Sequence, residues 1–194
     1  MVAQSFARAV KIKYGATKMS KPVRYLHPPA SQPYRAVHQF LLETEIPFTE
    51  ELVDIMSGIN EKQGFKDQYN PTGQVPILVD GDFTVWESSA IAFYLNEKFS
   101  VTGNWFGDTV EQTAVIQQYL HFHSTTLRRG AGAFFYSNFA ECIWGPNDYS
   151  KEIEKGQFVL RESMEHLEGW LSKTPYVCGN DISFANLQGF HEFV

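Results

Sequence analysis

The sequence predicts an α/β domain over residues 21–100, followed by an all-α domain over residues 109–194. In the first half, strand-like and helical segments follow one another as strand, helix, strand and then strand, strand, helix. Two parallel strands joined by a helix, together with an antiparallel hairpin, form a small mixed sheet that helices cover. The second half has no strong strand signal, and its apolar residues recur at helical spacing.

The composition is that of a folded chain able to bury a substantial core. The 194 residues are 43% hydrophobic and 20% charged, and the formal net charge is −6. The negative balance argues against a nucleic-acid partner, because phosphate binding requires a basic face. No apolar run approaches the ~20 residues that span a bilayer. We therefore expect no membrane partner and a cytoplasmic location.

Residues 1–20 form a predicted N-terminal extension. No acidic residue precedes Glu43, whereas several lysines and arginines do. The stretch also lacks an apolar stripe that would pack against a domain. An acid-free basic start is typical of organelle transit peptides, so a mitochondrial or other organelle location is the alternative.

The first strand begins at Val23 and ends at Pro28, since proline cannot donate to a strand ladder. Ser31 predicts a helix start, because a hydroxyl residue shortly before a proline is typical of a helix N-terminus. This helix ends near Glu45. Its predicted inner face comprises Ala36, Val37, Phe40 and Leu41. A second strand, Phe48–Ile55, and a short helix or irregular segment over residues 60–69 follow.

The clearest hairpin joins the predicted strands Val75–Val79 and Phe83–Trp86. Its two-residue turn is predicted at Asp80 and Gly81, because Asp-Gly favours such loops. A helix then opens at Glu87 and ends near residue 98, and residues 101–108 form the predicted linker.

The helical half begins with a predicted helix over residues 109–129. A later helix presents an apolar face comprising Ile153, Leu160, Met164, Leu167 and Leu171. A last helix begins after Ser183, with Phe184, Leu187 and Phe190 predicted to face inward. Arg128 lies near the predicted end of the first of these helices, where it either neutralises the helix dipole or reaches an anionic ligand.

Neither the histidines nor the cysteines predict a metal centre. His121 and His123 are two residues apart, whereas a helical metal pair needs a spacing of four. Cys142 and Cys178 lack paired spacing and are predicted to be buried thiols. No thiol lies near the first helix, which excludes a thioredoxin-type oxidoreductase.

Three short sites in the sequence predict either local structure or ligand chemistry. Pro76 marks an edge strand or follows a cis bond, and in the second case the Val75 backbone pairs with an extended peptide. Glu87 and Ser88 form either a plain N-cap or a nest for a carboxylate. The Ser31 hydroxyl either caps its helix or donates to a ligand thiolate and lowers its pKa.

Taken together, three blocks resemble the cytosolic glutathione transferases. They are Ser31–Ala36, Asn70–Leu78 and Glu87–Leu95. The Ser-Gln-Pro-x-Arg-Ala run of the first block is most similar to the theta class. A later segment, Gly179–Leu187, resembles the family's helix-capping motif, with Asn186 in place of the usual aspartate. The resemblance implies a thioredoxin-like domain that binds glutathione, followed by a helical-bundle domain that shapes the electrophile pocket.

The resemblance also implies roles for individual residues. Ser31 would stabilise the glutathione thiolate, and Val75, ahead of a cis Pro76, would pair with the cysteinyl backbone. Glu87 and Ser88 would hold the γ-glutamyl end. Gln74 matches a further glutathione-contacting position, Arg128 aligns with an arginine that faces the theta-class active site, and Asn60 occupies another glutathione-contacting position with a changed residue.

Two departures from the family leave an alternative open. Asn60 stands where theta enzymes commonly carry a histidine that contacts the glycyl carboxylate, and the chain stops at Val194, soon after the capping motif. The expected protein is a homodimeric enzyme that joins the thiolate to an apolar or halogenated electrophile. The alternative, a non-catalytic interaction module of the same fold, is favoured by these departures, whereas Ser31 together with Glu87 and Ser88 favours the enzyme. A shortened helical domain would leave one side of the last helix without a partner.

Overall fold

The structure of the chain is a computed structural model, which describes residues 21–28, 31–138 and 145–194. The predicted extension over residues 1–20, Pro29 and Cys142 lie outside the described residues. Within the described part, no helix is both long and apolar enough to cross a membrane.

A four-stranded mixed sheet forms the first half, in the order β2-β1-β3-β4. Its strands are β1 (Val23–His27), β2 (Phe48–Leu52), β3 (Ile77–Asp80) and β4 (Phe83–Trp86). Strands β1 and β2 are parallel, while β3 is antiparallel to both β1 and β4. The predicted α/β organisation is confirmed, and the central strands β1 and β3 supply fully buried residues such as Tyr25 and Leu78.

Strand β2 is shorter than the predicted segment Phe48–Ile55. Its last pair joins Leu52 to His27, where β1 ends before Pro28, so the ladder has no partner strand beyond that point. Asp54 then caps a 3-10 turn, Ile55–Ser57, by accepting hydrogen bonds from two backbone amides. A second 3-10 turn, Ile59–Glu61, leads into the short helix α2 (Gln63–Gln68).

The hairpin is present, but its turn is displaced from the predicted position. Asp80 pairs with Phe83, so the loop residues are Gly81 and Asp82. Gly81 has a φ of 60°, which glycine adopts without a steric penalty. The strand also begins at Ile77 rather than at Val75.

Helices α1 (Gln32–Glu43) and α3 (Ser88–Phe99) pack together against one face of the sheet. The predicted inner face of α1 is confirmed: Ala36, Val37, Phe40 and Leu41 are at most 1% exposed. Helix α1 ends at Glu43, two residues before the predicted end.

The predicted helix over residues 109–129 is three elements. Helix α4 (Val110–Phe122) runs into a π-helical turn, His123–Leu127, and then into α5 (Arg128–Asn138). Hydroxyls of Ser124 and Thr125 donate to the His121 carbonyl at 3.1 and 2.7 Å, and thereby compete with the regular helical bond. Arg128 therefore starts a helix, and the dipole role predicted for it at a helix C-terminus is wrong.

Helix α6 (Ser150–Leu171) packs closely against α5 through glycines. A Cβ at Gly156 would come within 2.8 Å of the Ala133 Cβ, and one at Gly130 would meet the α6 backbone. Because α5 and α6 meet along small residues such as these glycines, only part of the predicted apolar face of α6 is buried. Leu167 is 8% exposed, but Met164 and Leu171 are 46% and 45% exposed.

Helix α7 (Phe184–Phe190) begins with a capping box. The Asn186 side chain accepts from the Ser183 amide at 3.0 Å, so asparagine caps this helix without a charge. Phe184 and Leu187 are buried as predicted. Phe190 is 57% exposed, so its predicted inward orientation is wrong. The chain turns after this residue, and Glu192 points inward instead.

An aromatic cluster joins the two halves of the chain. Phe40 of α1 makes edge contacts with Trp105 and Phe184, whose ring centroids lie 5.1 and 5.7 Å away. The Phe184 amide also donates to the Trp105 carbonyl at 3.0 Å. The segment predicted as a linker, residues 101–108, thus contributes to one shared core, and α7 is held against α1.

Candidate active site

One cavity of about 620 Å³ lies between the sheet and the helical half. It brings together all eight residues singled out in the sequence, although they span nearly 100 positions. These residues are Ser31, Asn60, Gln74, Val75, Pro76, Glu87, Ser88 and Arg128. Their placement in one cavity makes a shared site possible, and their roles toward a ligand stay predictions.

Ser31 lies at the N-terminus of α1, partly buried at the cavity wall. Its Oγ accepts a long hydrogen bond, 3.4 Å, from the Tyr34 amide. A serine hydroxyl has one donor and two acceptor positions, so capping the helix leaves its O–H able to donate. The two interpretations of Ser31 are therefore compatible, because one oxygen serves the cap while its proton serves a ligand.

The Val75–Pro76 peptide bond is cis. Since β3 begins only at Ile77, the Val75 amide and carbonyl lie outside the ladder. Neither group has a hydrogen-bond partner among the described residues. An unpaired amide and carbonyl at a sheet edge can bind an extended peptide backbone.

A buried asparagine supports the loop that leads to this edge. Asn70, which is not exposed at all, donates to the Gln74 carbonyl at 2.8 Å and accepts from the Thr72 amide at 3.0 Å. Asn60 donates to the Gly73 carbonyl at 3.0 Å. Its side-chain nitrogen is thus engaged in holding the loop.

Glu87 and Ser88 lie where β4 turns into α3. Glu87 has a φ of 71°, a left-handed conformation that non-glycine residues rarely adopt and that is common at ligand sites. Ser88 is 6% exposed and begins the 12-residue helix α3. The unpaired amides of this N-terminus, together with the Ser88 hydroxyl, can bind a carboxylate.

Arg128 contacts a buried carboxylate in the cavity wall. Its Nη1 lies 3.0 Å from Glu192 Oε2, and His123 Nε2 lies 3.1 Å from the other carboxylate oxygen. The Glu192 side chain is 1% exposed. Burial raises the pKa of Glu192, but His123 and Arg128 together lower it more, so the pKa lies below its usual value.

Sequence reasoning missed three residues of this region. Gln188 and His123 line the cavity, and Glu192 lies behind it in contact with Arg128. The sequence excludes His123 only from a metal pair and assigns it no other role, because nothing in the local pattern reveals the π-helical turn that directs it inward. Gln188 and Glu192 carry no motif, and only the fold brings them close to α3 and α5.

The described residues offer little to a metal ion. They contain no cluster of three or more histidine, cysteine or acidic side chains arranged to hold one. Cys178, predicted to be buried, is only partly buried and lies away from the cavity. Its burial raises the pKa of the thiol to about 11.

The site thus combines a hydroxyl at a helix N-terminus, an unpaired peptide edge and a second helix N-terminus. A family model described as the N-terminal domain of glutathione S-transferase matches residues 33–98. The dichloromethane dehalogenase of Methylophilus leisingeri is 53% identical over 178 residues, which cover 91% of this chain and 67% of that protein. The chain belongs to the theta-like glutathione S-transferases, a family of enzymes.

Two human members of the theta class support the same assignment. Glutathione S-transferase theta-1 is 42% identical over 166 residues, which cover 84% of this chain and 69% of that protein. The structure of glutathione transferase theta-2 in complex with glutathione and an unknown ligand has a TM-score of 0.81 at 27% identity. This match covers 88% of this chain and 70% of the theta-2 chain.

The chain spans about two thirds of the length of the curated relatives it matches. The predicted fold class of a theta-like glutathione S-transferase, a thioredoxin-like domain followed by a helical domain, is confirmed.

Proposed function

We propose that the chain is a glutathione transferase that joins the glutathione thiolate to an apolar or halogenated electrophile, with the Ser31 hydroxyl stabilising the thiolate. One observation carries the proposal: Ser31, the unpaired Val75 backbone and the N-terminus of α3 line a single cavity. The names of two relatives, both dichloromethane dehalogenases, support a halogenated electrophile.

Ser31 would act on the sulfur. A free thiol has a pKa of ~8.5 and is mostly protonated at neutral pH. A hydroxyl donor at the positive end of α1 favours the thiolate, so the proton passes to solvent and the anion remains. The thiolate then attacks carbon, a C–S bond forms, and the carbon–halogen bond breaks with its electron pair leaving on halide.

The other residues would hold the tripeptide. The Val75 amide and carbonyl pair with the cysteinyl backbone, and the Ser88 hydroxyl and the α3 amides hold the γ-glutamyl carboxylate. Gln74 lies exposed at the rim and contributes a polar contact. Asn60 contributes mainly by holding the loop at Gly73 in place, because its side-chain nitrogen already donates to the Gly73 carbonyl.

The opposite side of the cavity would take the electrophile. Ile55, Met56 and Phe135 give the cavity an apolar lining, while Arg128 supplies a polar group. The expected homodimer is part of the proposal, and sedimentation of the purified chain tests it.

Two measurements test the function. Isothermal titration with glutathione should show binding, and incubation with glutathione and dichloromethane should release chloride that a halide electrode detects. Binding without chloride release, repeated with several apolar electrophiles, would favour the non-catalytic interaction module. Absence of glutathione binding by the folded chain would refute the transferase function and would favour the non-catalytic interaction module.

A further inference from the structure

We propose that Glu192 is a specificity-determining residue, which neutralises Arg128 in the cavity wall and thereby selects uncharged electrophiles over anionic ones. This inference rests on the proposed transferase function. It concerns the charge of the leaving group, which neither the family resemblance nor the apolar lining decides.

The geometry places the pair in the part of the cavity wall that the helical half contributes. Arg128 lines the cavity and its side chain is 24% exposed, whereas the Glu192 carboxylate behind it is 1% exposed. The carboxylate contacts Arg128 at 3.0 Å and His123 at 3.1 Å. Glu192 thus touches two groups of the wall while itself staying out of the open space.

The local fold is adapted to this arrangement. A π-helical turn, His123–Leu127, interrupts the regular helix and ends where Arg128 begins α5. Such turns occur frequently at functional sites. Because the turn shifts the register of the helix, His123 and Arg128 both come to line the cavity.

A buried ion pair is weak evidence for a role in stability, since desolvation of the charges offsets most of their attraction. The ion pair has a clearer effect on the charge that the cavity wall presents to a ligand. An arginine without a carboxylate partner presents a planar, permanently charged group that binds sulfate or phosphate by paired hydrogen bonds. With Glu192 beside it, the pair is neutral overall, and an anion approaching Arg128 also meets the negative carboxylate.

The inference predicts a difference between two leaving groups on one carbon skeleton. With benzyl chloride, the glutathione thiolate forms the C–S bond, and the C–Cl bond breaks with its electron pair on chloride. With benzyl sulfate the same C–S bond forms, and the benzylic C–O bond breaks with its pair on the sulfate. Only the second substrate carries a negative charge before it reacts.

The decisive variant is Glu192→Gln, which keeps the size of the side chain and removes its charge. We expect the ratio of kcat/KM for benzyl sulfate to that for benzyl chloride to rise by about tenfold or more. A rise of this size corresponds to one additional charge-assisted hydrogen bond between Arg128 and the sulfate group. Inorganic sulfate should also bind more tightly by calorimetry without glutathione. The exposed Glu165→Gln is the matched control and should leave the ratio and sulfate binding unchanged.

Two further variants separate charge from structure. Glu192→Asp keeps the charge and should keep the ratio near that of the unmodified chain, whereas Arg128→Met added to Glu192→Gln should abolish the gain. A folded Glu192→Gln protein with an unchanged ratio and unchanged sulfate affinity would overturn the proposal.

If Glu192→Gln does not fold, the single variant Arg128→Met tests the proposal. Its sulfate affinity should match that of the unmodified chain, because a neutralised arginine does not bind the anion. A severalfold loss of sulfate affinity would overturn the proposal. Calorimetry with sulfate requires no turnover, so its outcome is independent of whether the proposed transferase activity is found.

Discussion

Gln188 donates a hydrogen bond from Nε2 to the Ser88 hydroxyl at 2.7 Å, across 100 residues of chain. Both side chains are almost fully buried, at 5% and 6% exposure. The helix α7 therefore positions the residue that begins α3, one of the two helix N-termini in the candidate site. Since the bond uses Ser88 Oγ as acceptor, the serine proton stays available for a ligand carboxylate.

This relationship predicts that Ser88→Ala weakens glutathione binding by about 1 to 3 kcal/mol, the value of a charge-assisted hydrogen bond. Gln188→Leu, which removes the bond but keeps the serine, should weaken binding by a smaller amount in titration calorimetry. Equal affinity in the Ser88 variant would show that the hydroxyl does not contact glutathione.

The Ser31 position is tested with three substitutions. Ser31→Ala should strongly reduce kcat with little change in glutathione affinity, because the hydroxyl matters for the thiolate rather than for the tripeptide. It should also lose about 1 kcal/mol of stability with the cap. Ser31→Thr should retain part of the activity. Ser31→Asp keeps a capping acceptor without a donor, so it should melt like the unmodified chain yet stay inactive. An active aspartate variant would assign Ser31 to capping alone.

Gly73→Ala should disrupt the loop before Val75. Gly73 has a φ of 70°, and a Cβ there would come within 2.7 Å of the Asn60 carbonyl. We expect a lower melting temperature and weaker glutathione binding. Gly64→Ala is the matched control, because nothing lies within 4 Å of a Cβ at that position. In helix α2 this change should be neutral or stabilise by about 0.5 to 1 kcal/mol. Two variants with the same melting temperature would contradict the prediction.

The lowered pKa of Glu192 predicts a pH-dependent stability. Its contribution to the free energy of unfolding is present above the pKa of the unfolded chain and is lost as the pH falls through the lower pKa of the folded chain. The difference in stability between the unmodified chain and Glu192→Gln should therefore shrink as the pH falls below 4.5, the usual value for this group. Urea unfolding of both proteins at a series of pH values measures this difference. A gap that stays constant would show that Glu192 does not gain from its partners.

Local sequence determined most of the secondary structure of this chain. It also determined the three local segments from which the candidate site is built. Ser31 before Pro33, the Asn70–Pro76 loop and the Glu87–Ser88 junction act through their own backbone neighbourhoods, by capping, turn formation and proline geometry. Such effects extend over about three to five residues and can therefore be predicted from the sequence. The same holds for the apolar face of α1, whose spacing alone predicts its buried side.

Tertiary structure alone decided which residues meet across the cavity. The end of β2 depended on where its partner strand stops, and the exposure of Met164 depended on how closely glycines let α5 approach α6. The partnership of Glu192 with Arg128 spans 64 positions and carries no periodic signal. The sequence alone does not distinguish a carboxylate exposed to water from one that contacts an arginine, because only the packed chain sets its solvation and its neighbours.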